Sequence, residues 1–227
     1  MNKKHYLNGV FRGKVKHRFG LETALEKLLV EDDVYLSLEG LDGDECADKN
    51  HHGGLERALH QYPSEHYAYW REKYNVANQW HEPGMGENLS SVGMTEENVC
   101  IGDRYSWGDA VIEVSQPRSP CYKLNKRWGI EDFSIHMQDT RRCGWLYRVI
   151  QPGTVNVNKP LQLIERVPNA RTVREVCDIF FGNPLDQDGL LMLKQQNRLS
   201  DSWMNKVLQR LETGEVENWN FRLLGHA

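Results

Sequence analysis

Apolar and polar positions alternate over short stretches in the first two thirds of the chain and recur at helical spacing in the last third. Ala110 to Ser115 sets Val111, Glu113 and Ser115 against Ile112 and Val114, a period of two that predicts a strand. Segments at Val34–Leu38, Val99–Ile101, Val155–Val157 and Leu161–Ile164 predict further strands. Turns at Gly43-Asp44, Gly102-Asp103, Gly108-Asp109 and Pro152-Gly153 separate them. Many short strands between glycine-rich turns predict a curled, barrel-like sheet, so the fold class is mainly β with α. One helix interrupts it. Pro63 suits a first helical position, and Tyr67, Trp70 and Tyr74 follow at three- and four-residue intervals. That aromatic stripe reads as core rather than as a cofactor box.

The texture changes after Pro168. Thr172 and Glu175 form a capping-box pattern ahead of Val176, Ile179 and Phe180. Pro184 can start a second helix through Leu190, Leu191 and Leu193. Ser200 can cap a third, with Trp203, Val207, Leu208 and Leu211 on one side and Gly214 as its stop. The expected division is a β-rich domain over residues 1–167 and a three-helix module over 168–227.

Charge narrows what that module does. Against 28 Lys plus Arg stand 32 Asp plus Glu, a net charge of −4, and residues 171–227 hold 7 basic and 8 acidic side chains. Three short helices resemble a helix-turn-helix reader, but a phosphate-driven grip on nucleic acid is disfavoured, and a packing or protein-contact module fits better. No apolar run reaches the ~18 residues of a membrane span. No apolar stretch follows the basic amino end, so no secretory signal is expected. Five widely spaced cysteines without a CxxC pair fit a reducing compartment and a cytoplasmic chain.

Three segments can carry chemistry. In Ser115–Gly129 no acid occurs, while Arg118, Lys123, Lys126 and Arg127 surround Cys121, which directly follows Pro120. Two prolines stiffen this loop, and nearby cations favour thiolate, as a nucleophile or a metal ligand; an inert buried cysteine beside a solvated basic face is the plain alternative. In His51–Leu59, two glycines after His52 let backbone approach a ligand, and Arg57 can point a guanidinium at an anion. His51, His52, His60 and His66 with Cys46 do not indicate zinc, because their spacings match no ligand pattern. Gly84–Ser90 offers Glu87 and Asn88 on a tight backbone, suited either to the edge of a fused heterocycle or to a strand-entry turn.

Together Gly40–Trp70, Gly86–Ser90, Asn98–Asn125 and Gly144–Gly153 resemble the MOSC domain, the carboxy-terminal fold of molybdenum-cofactor sulfurases, and its stand-alone YiiM-like branch in particular. The Ser-Gln-Pro-Arg-x-Pro-Cys block is the most specific part, and the region after Pro168 is similar to that branch's three-helix appendage. The resemblance implies a barrel-like fold that binds the molybdenum cofactor (molybdopterin), with Cys121 as thiolate ligand of molybdenum. It implies reduction of N-hydroxylated small molecules, including hydroxylaminopurine-type base analogues, as a detoxifying activity. By position, His52, Arg57, Asn88, Arg118 and Lys123 become cofactor or pocket contacts, with Cys121 and His52 catalytic and His52 a proton donor. Met85 stands where the family usually has phenylalanine, which bears on substrate preference. The cationic loop would also meet the cofactor's phosphate. No flavin, haem or iron–sulfur motif is recognisable, so electrons are expected from a separate reductase. A carrier of molybdopterin or of persulfide sulfur is the alternative, and homodimerisation is left open.

Overall fold

The computed structural model describes residues 3–48, 52–74 and 80–226. Fourteen strands are short: β1 (Lys4–His5), β2 (Leu7–Arg12), β3 (Lys16–Arg18), β4 (Leu21–Thr23), β5 (Leu28–Leu29), β6 (Val34–Ser37), β7 (Gly40–Leu41), β8 (Leu59–Pro63), β9 (Leu89–Ser91), β10 (Arg104–Trp107), β11 (Ala110–Pro117), β12 (Trp145–Gln151), β13 (Gly153–Val155) and β14 (Leu161–Glu165). Nine of them form one sheet in the order β1-β14-β10-β11-β12-β8-β9-β2-β5. It ends in two edges rather than closing, so the expected barrel is an open sheet. Among the described residues only β8 and β9 pair in parallel, which brings the backbone of His60 and Asn88 side by side.

The helices are α1 (His66–Tyr74), α2 (Tyr122–Trp128), α3 (Phe133–Thr140), α4 (Val173–Cys177), α5 (Gln187–Lys194), α6 (Asp201–Thr213) and α7 (Asn220–Leu224). The Thr172 capping box is present with both of its reciprocal bonds. Past Cys177 the chain loosens into a π-turn over Asp178–Gly182. Helix α5 starts later than the Pro184 signal, because Asp186 supplies the cap by accepting from the Gly189 N–H. Pro63 ends β8 instead of opening α1. Ile101 belongs to a turn, and Val99–Ile101 contributes only the isolated bridge between Cys100 and Thr172. On α6, Trp203 and Val207 are buried as expected, but Leu208 turns to solvent.

Strand β11 shows why simple alternation misleads here. Its second half is buried on both faces, because the helical module covers the side opposite the main core. Ser200 donates its N–H to Ser115 O at 2.9 Å and its hydroxyl to Gln116 Oε1 at 2.7 Å. Glu113 is buried in an ionic cluster, accepting from Arg104 and Arg148 at 2.6 Å each. One hydrophobic cluster therefore runs from Leu36, Trp107 and Ile112 in the sheet to Val176, Leu193 and Trp203 in the helices, across residue 168. A second, aromatic cluster joins Trp70, Trp80 and Phe133 beneath α1 and α3. Among the described residues no helix is long and apolar enough to cross a membrane.

Candidate functional site

A cleft of about 1100 Å³ opens where these layers meet. All six residues singled out from the sequence line it: His52, Arg57, Asn88, Arg118, Cys121 and Lys123. They arrive on three separate segments. His51 lies outside the described residues.

Cys121 is the buried residue that precedes α2, held extended after Pro120. Its Sγ lies 3.4 Å from His52 Nε2. Burial pushes the thiol up, but the hydrogen bond and charge of His52, the Arg118 guanidinium and the Lys123 backbone N–H outweigh it and bring it down to about 7. On the other side of the imidazole, His52 Nδ1 lies 3.4 Å from Asp48 Oδ2, which also faces Lys123 Nζ at 3.9 Å. Thiol, imidazole and carboxylate thus stand in line. Asp48 is four residues before His52, a spacing visible in the sequence.

Gly54 makes the approach of this arm possible. Its φ of 100° is one that side chains avoid, and it delivers Leu55–Arg57 as a single 3₁₀ turn before β8 begins. The turn ends at Arg57, and the chain enters β8 at Leu59. Arg118, held by its N–H to Gly144 O at 3.1 Å, reaches the Met137 sulfur at 3.7 Å and no carboxylate among the described residues. A half-buried guanidinium without an anion beside a cleft is suited to a phosphate.

Asn88 sits differently. Its Oδ1 accepts from the His60 N–H at 3.1 Å, and its Nδ2 donates to Phe11 O at 3.1 Å and Asp44 Oδ2 at 2.7 Å. The amide braces the floor of the cleft. Asp44 in turn takes Lys27 and the Gly13 N–H. Glu87 faces inward and accepts from Tyr67 Oη at 2.5 Å and the Met85 N–H at 2.9 Å; burial pushes its carboxyl up to about 7. Met85 is fully buried and forms part of the cleft wall.

Several lining residues are not among the site residues read from the sequence. Lys27 carries no local motif, His60 figures there only among histidines whose spacing suits no zinc site, and Trp203 only as a helix-face position; Lys206, Phe221 and Arg222 also come from the helical module. Arg222 donates to Pro120 O and to Gln138 Oε1, both at 2.7 Å, and so touches the residue before Cys121.

Comparison with known proteins bears directly on this arrangement. Residues 48–162, which hold the Asp48, His52 and Cys121 line, match the model of the MOSC domain, and residues 172–214 match that of the YiiM-like 3-alpha helix domain. The chain is 44% identical to Protein YiiM of Escherichia coli over 95% of its own length and 97% of that protein's. It belongs to the MOSC family, in its YiiM-like branch. The crystal structure of the Escherichia coli protein superposes with a TM-score of 0.85 at 39% identity, covering 98% of this chain and all of that one. A protein of Gibberella moniliformis named "Reductase" is 40% identical over 64% of this chain, which spans 26% of that longer protein.

The donor set of this MOSC chain can be tested against a molybdopterin cofactor. A pterin dithiolene brings its own two sulfurs and a phosphate, so a protein needs to add one soft anionic ligand and cationic partners. Cys121, with its thiol drawn down, could serve as that ligand, and Arg118 as that cation. The residues fit the group.

Proposed function

We propose that this chain is a molybdenum-cofactor-dependent oxidoreductase that reduces N-hydroxylated compounds to the parent amines. The observation that carries the reading is the thiol of Cys121 held near pH 7, facing His52 in a cleft bordered by Arg118 and Lys123. The reductase name of the fungal relative and the family's molybdenum-cofactor association support it. Converting N–OH to N–H consumes two electrons and two protons and releases water. A bound molybdenum cofactor would supply the two-electron couple that this reduction needs.

The chain's own residues do the rest. Cys121 would hold the metal by offering it an anionic sulfur. Arg118, Lys123 and Arg57 would receive the cofactor's phosphate and polar groups, and Asn88 braces the floor beside them. His52, oriented through Nδ1 by Asp48, holds a proton at Nε2 for the departing oxygen. Buried walls such as Met85 and Trp203 limit water around the reacting group. Electrons come from a separate reductase partner, in a cytoplasmic setting that keeps the described cysteines free.

The test is turnover of an aromatic hydroxylamine by cofactor-loaded protein with an artificial electron donor. Wild-type protein is expected to consume it, and Cys121→Ala to show none while keeping its circular dichroism. Loaded wild-type protein that turns nothing over would make this a carrier of molybdopterin or sulfur.

A further inference from the structure

Helix α7 has five residues, and two of them clasp it to the rest of the chain. Arg222 donates to Pro120 O and Gln138 Oε1, both at 2.7 Å, and Leu223 O accepts from Asn125 Nδ2 at 2.8 Å and from Ser134 Oγ at 2.7 Å. Phe221, beside them on the same helix, shares that fixed backbone but stays 61% exposed and lines the cleft. A single exposed aromatic is ordinary on a protein surface. This one has a partner and a place.

The partner is Tyr122, the first residue of α2 and the one directly after Cys121. The two rings lie 6.4 Å apart and are tilted by 58°, and both residues line the cleft. Tyr122 is packed against the end of α7: a Cβ added at Gly225 would stand 2.9 Å from its Cγ and Cδ2. The positive charge nearby is turned elsewhere. Arg222 sets its guanidinium over Phe181 and Trp219, 5.7 Å from each ring centre, and Lys206 Nζ lies 3.6 Å from Glu217. This wall therefore presents two aromatic rings at an angle. A flat ring laid on one of them meets the other edge-on, and both arrangements are ones that aromatic groups prefer.

We infer that Phe221 and Tyr122 are the substrate-recognising wall of the cleft, taking the flat ring of an aromatic hydroxylamine while its N–OH group is directed toward the Cys121 side. This rests on the reading of the chain as a reductase of N-hydroxylated compounds, and it gives the helical module a share in substrate choice. Consecutive Cα atoms stand about 3.8 Å apart, so the ring and N–OH of one small molecule can span Tyr122 and Cys121. The cleft divides by chemistry: Arg118 and Lys123 suit an anion, and the Phe221 wall suits an apolar ring.

The test compares two substrates under one electron donor. Cofactor-loaded protein with an artificial donor is given phenylhydroxylamine and N-methylhydroxylamine, and the ratio of their kcat/KM values is taken. Wild-type protein is expected to prefer the aryl compound. Phe221→Ala should lower that ratio about tenfold, mainly through KM, the scale of one lost aromatic contact. Phe221→Tyr should restore most of it. A ring that only docked the electron donor would change both substrates alike, so an unmoved ratio overturns the inference. Binding of aniline, the aryl product, to the loaded protein gives a reading without turnover: calorimetry should show the same loss in Phe221→Ala, and equal affinity overturns the inference. Pterin and molybdenum per chain should stay at the wild-type level; a fall would assign the ring to the cofactor and overturn it too. Should Phe221→Ala not fold, Phe221→Leu, apolar but without an aromatic face, takes its place with the same expected fall. Wild-type protein that reduces neither compound overturns the reductase reading and this inference together, whereas an unmoved ratio in an active enzyme overturns the inference alone.

Discussion

Cys121 gains its acidity from neighbours that lie far apart in sequence, and each can be removed singly. In metal-free protein, the rate of alkylation by iodoacetamide should rise with pH through a midpoint near 7, below the ordinary ~8.5 of a cysteine. The sign is fixed: thiolate, the reactive form, is lost as pH falls through that value. His52→Ala removes the hydrogen bond and charge that oppose burial, so the midpoint should move to higher pH. Arg118→Ala leaves the His52 contact intact and should chiefly lower the molybdenum and pterin retained per chain; unchanged content would argue against a phosphate at that guanidinium. The thiol loop was legible in the sequence because prolines, cations and cysteine fall within one short stretch. His60 is legible only among histidines whose spacing suits no zinc site, because its place on the cleft floor comes from the pairing of β8 with β9 and β12. Asn88 was legible as a position but not as a role.

Local signals read best where the backbone chooses for itself. The Thr172 and Glu175 box, the Gly214 stop and strands β6, β11 and β14 all stand close to where pattern puts them. Thr172→Ala should cost ~1 kcal/mol. That corresponds to a fall of about 2–4 °C in melting temperature for a chain of this size. Elements decided by tertiary partners escaped: α7, five residues long, forms because Asn125 Nδ2 and Ser134 Oγ both donate to Leu223 O, at 2.8 and 2.7 Å. Gly144 is the tightest joint near the site. Its φ is +69°, and an added Cβ would lie 2.2 Å from Gln61 O and 3.1 Å from His60 Nε2. Gly144→Ala should therefore cost well over the ~1 kcal/mol of an ordinary glycine replacement, as read by urea unfolding, and disturb Arg118 through the Gly144 carbonyl.

At the scale of the molecule, the division near residue 168 marks a change of secondary structure across which the hydrophobic core continues. Heating or urea should give one transition, coincident by tryptophan fluorescence and far-ultraviolet circular dichroism, and a chain cut after residue 167 should lose cooperative unfolding. Separate transitions would show two independent units. The open sheet shares this logic, since the helices cover a face that a closed barrel would have turned to water. The clasp of α7 carries a further consequence. Its bonds from Asn125 to Leu223 and from Arg222 to Pro120 join groups 98 and 102 residues apart. Closing such large loops costs entropy before the contacts reward it, so the mouth of the cleft is expected to assemble late. Contacts made after the rate-limiting step govern how fast a protein comes apart, not how fast it forms. A ligand seated behind that clasp lengthens the life of the native state and leaves the refolding rate untouched.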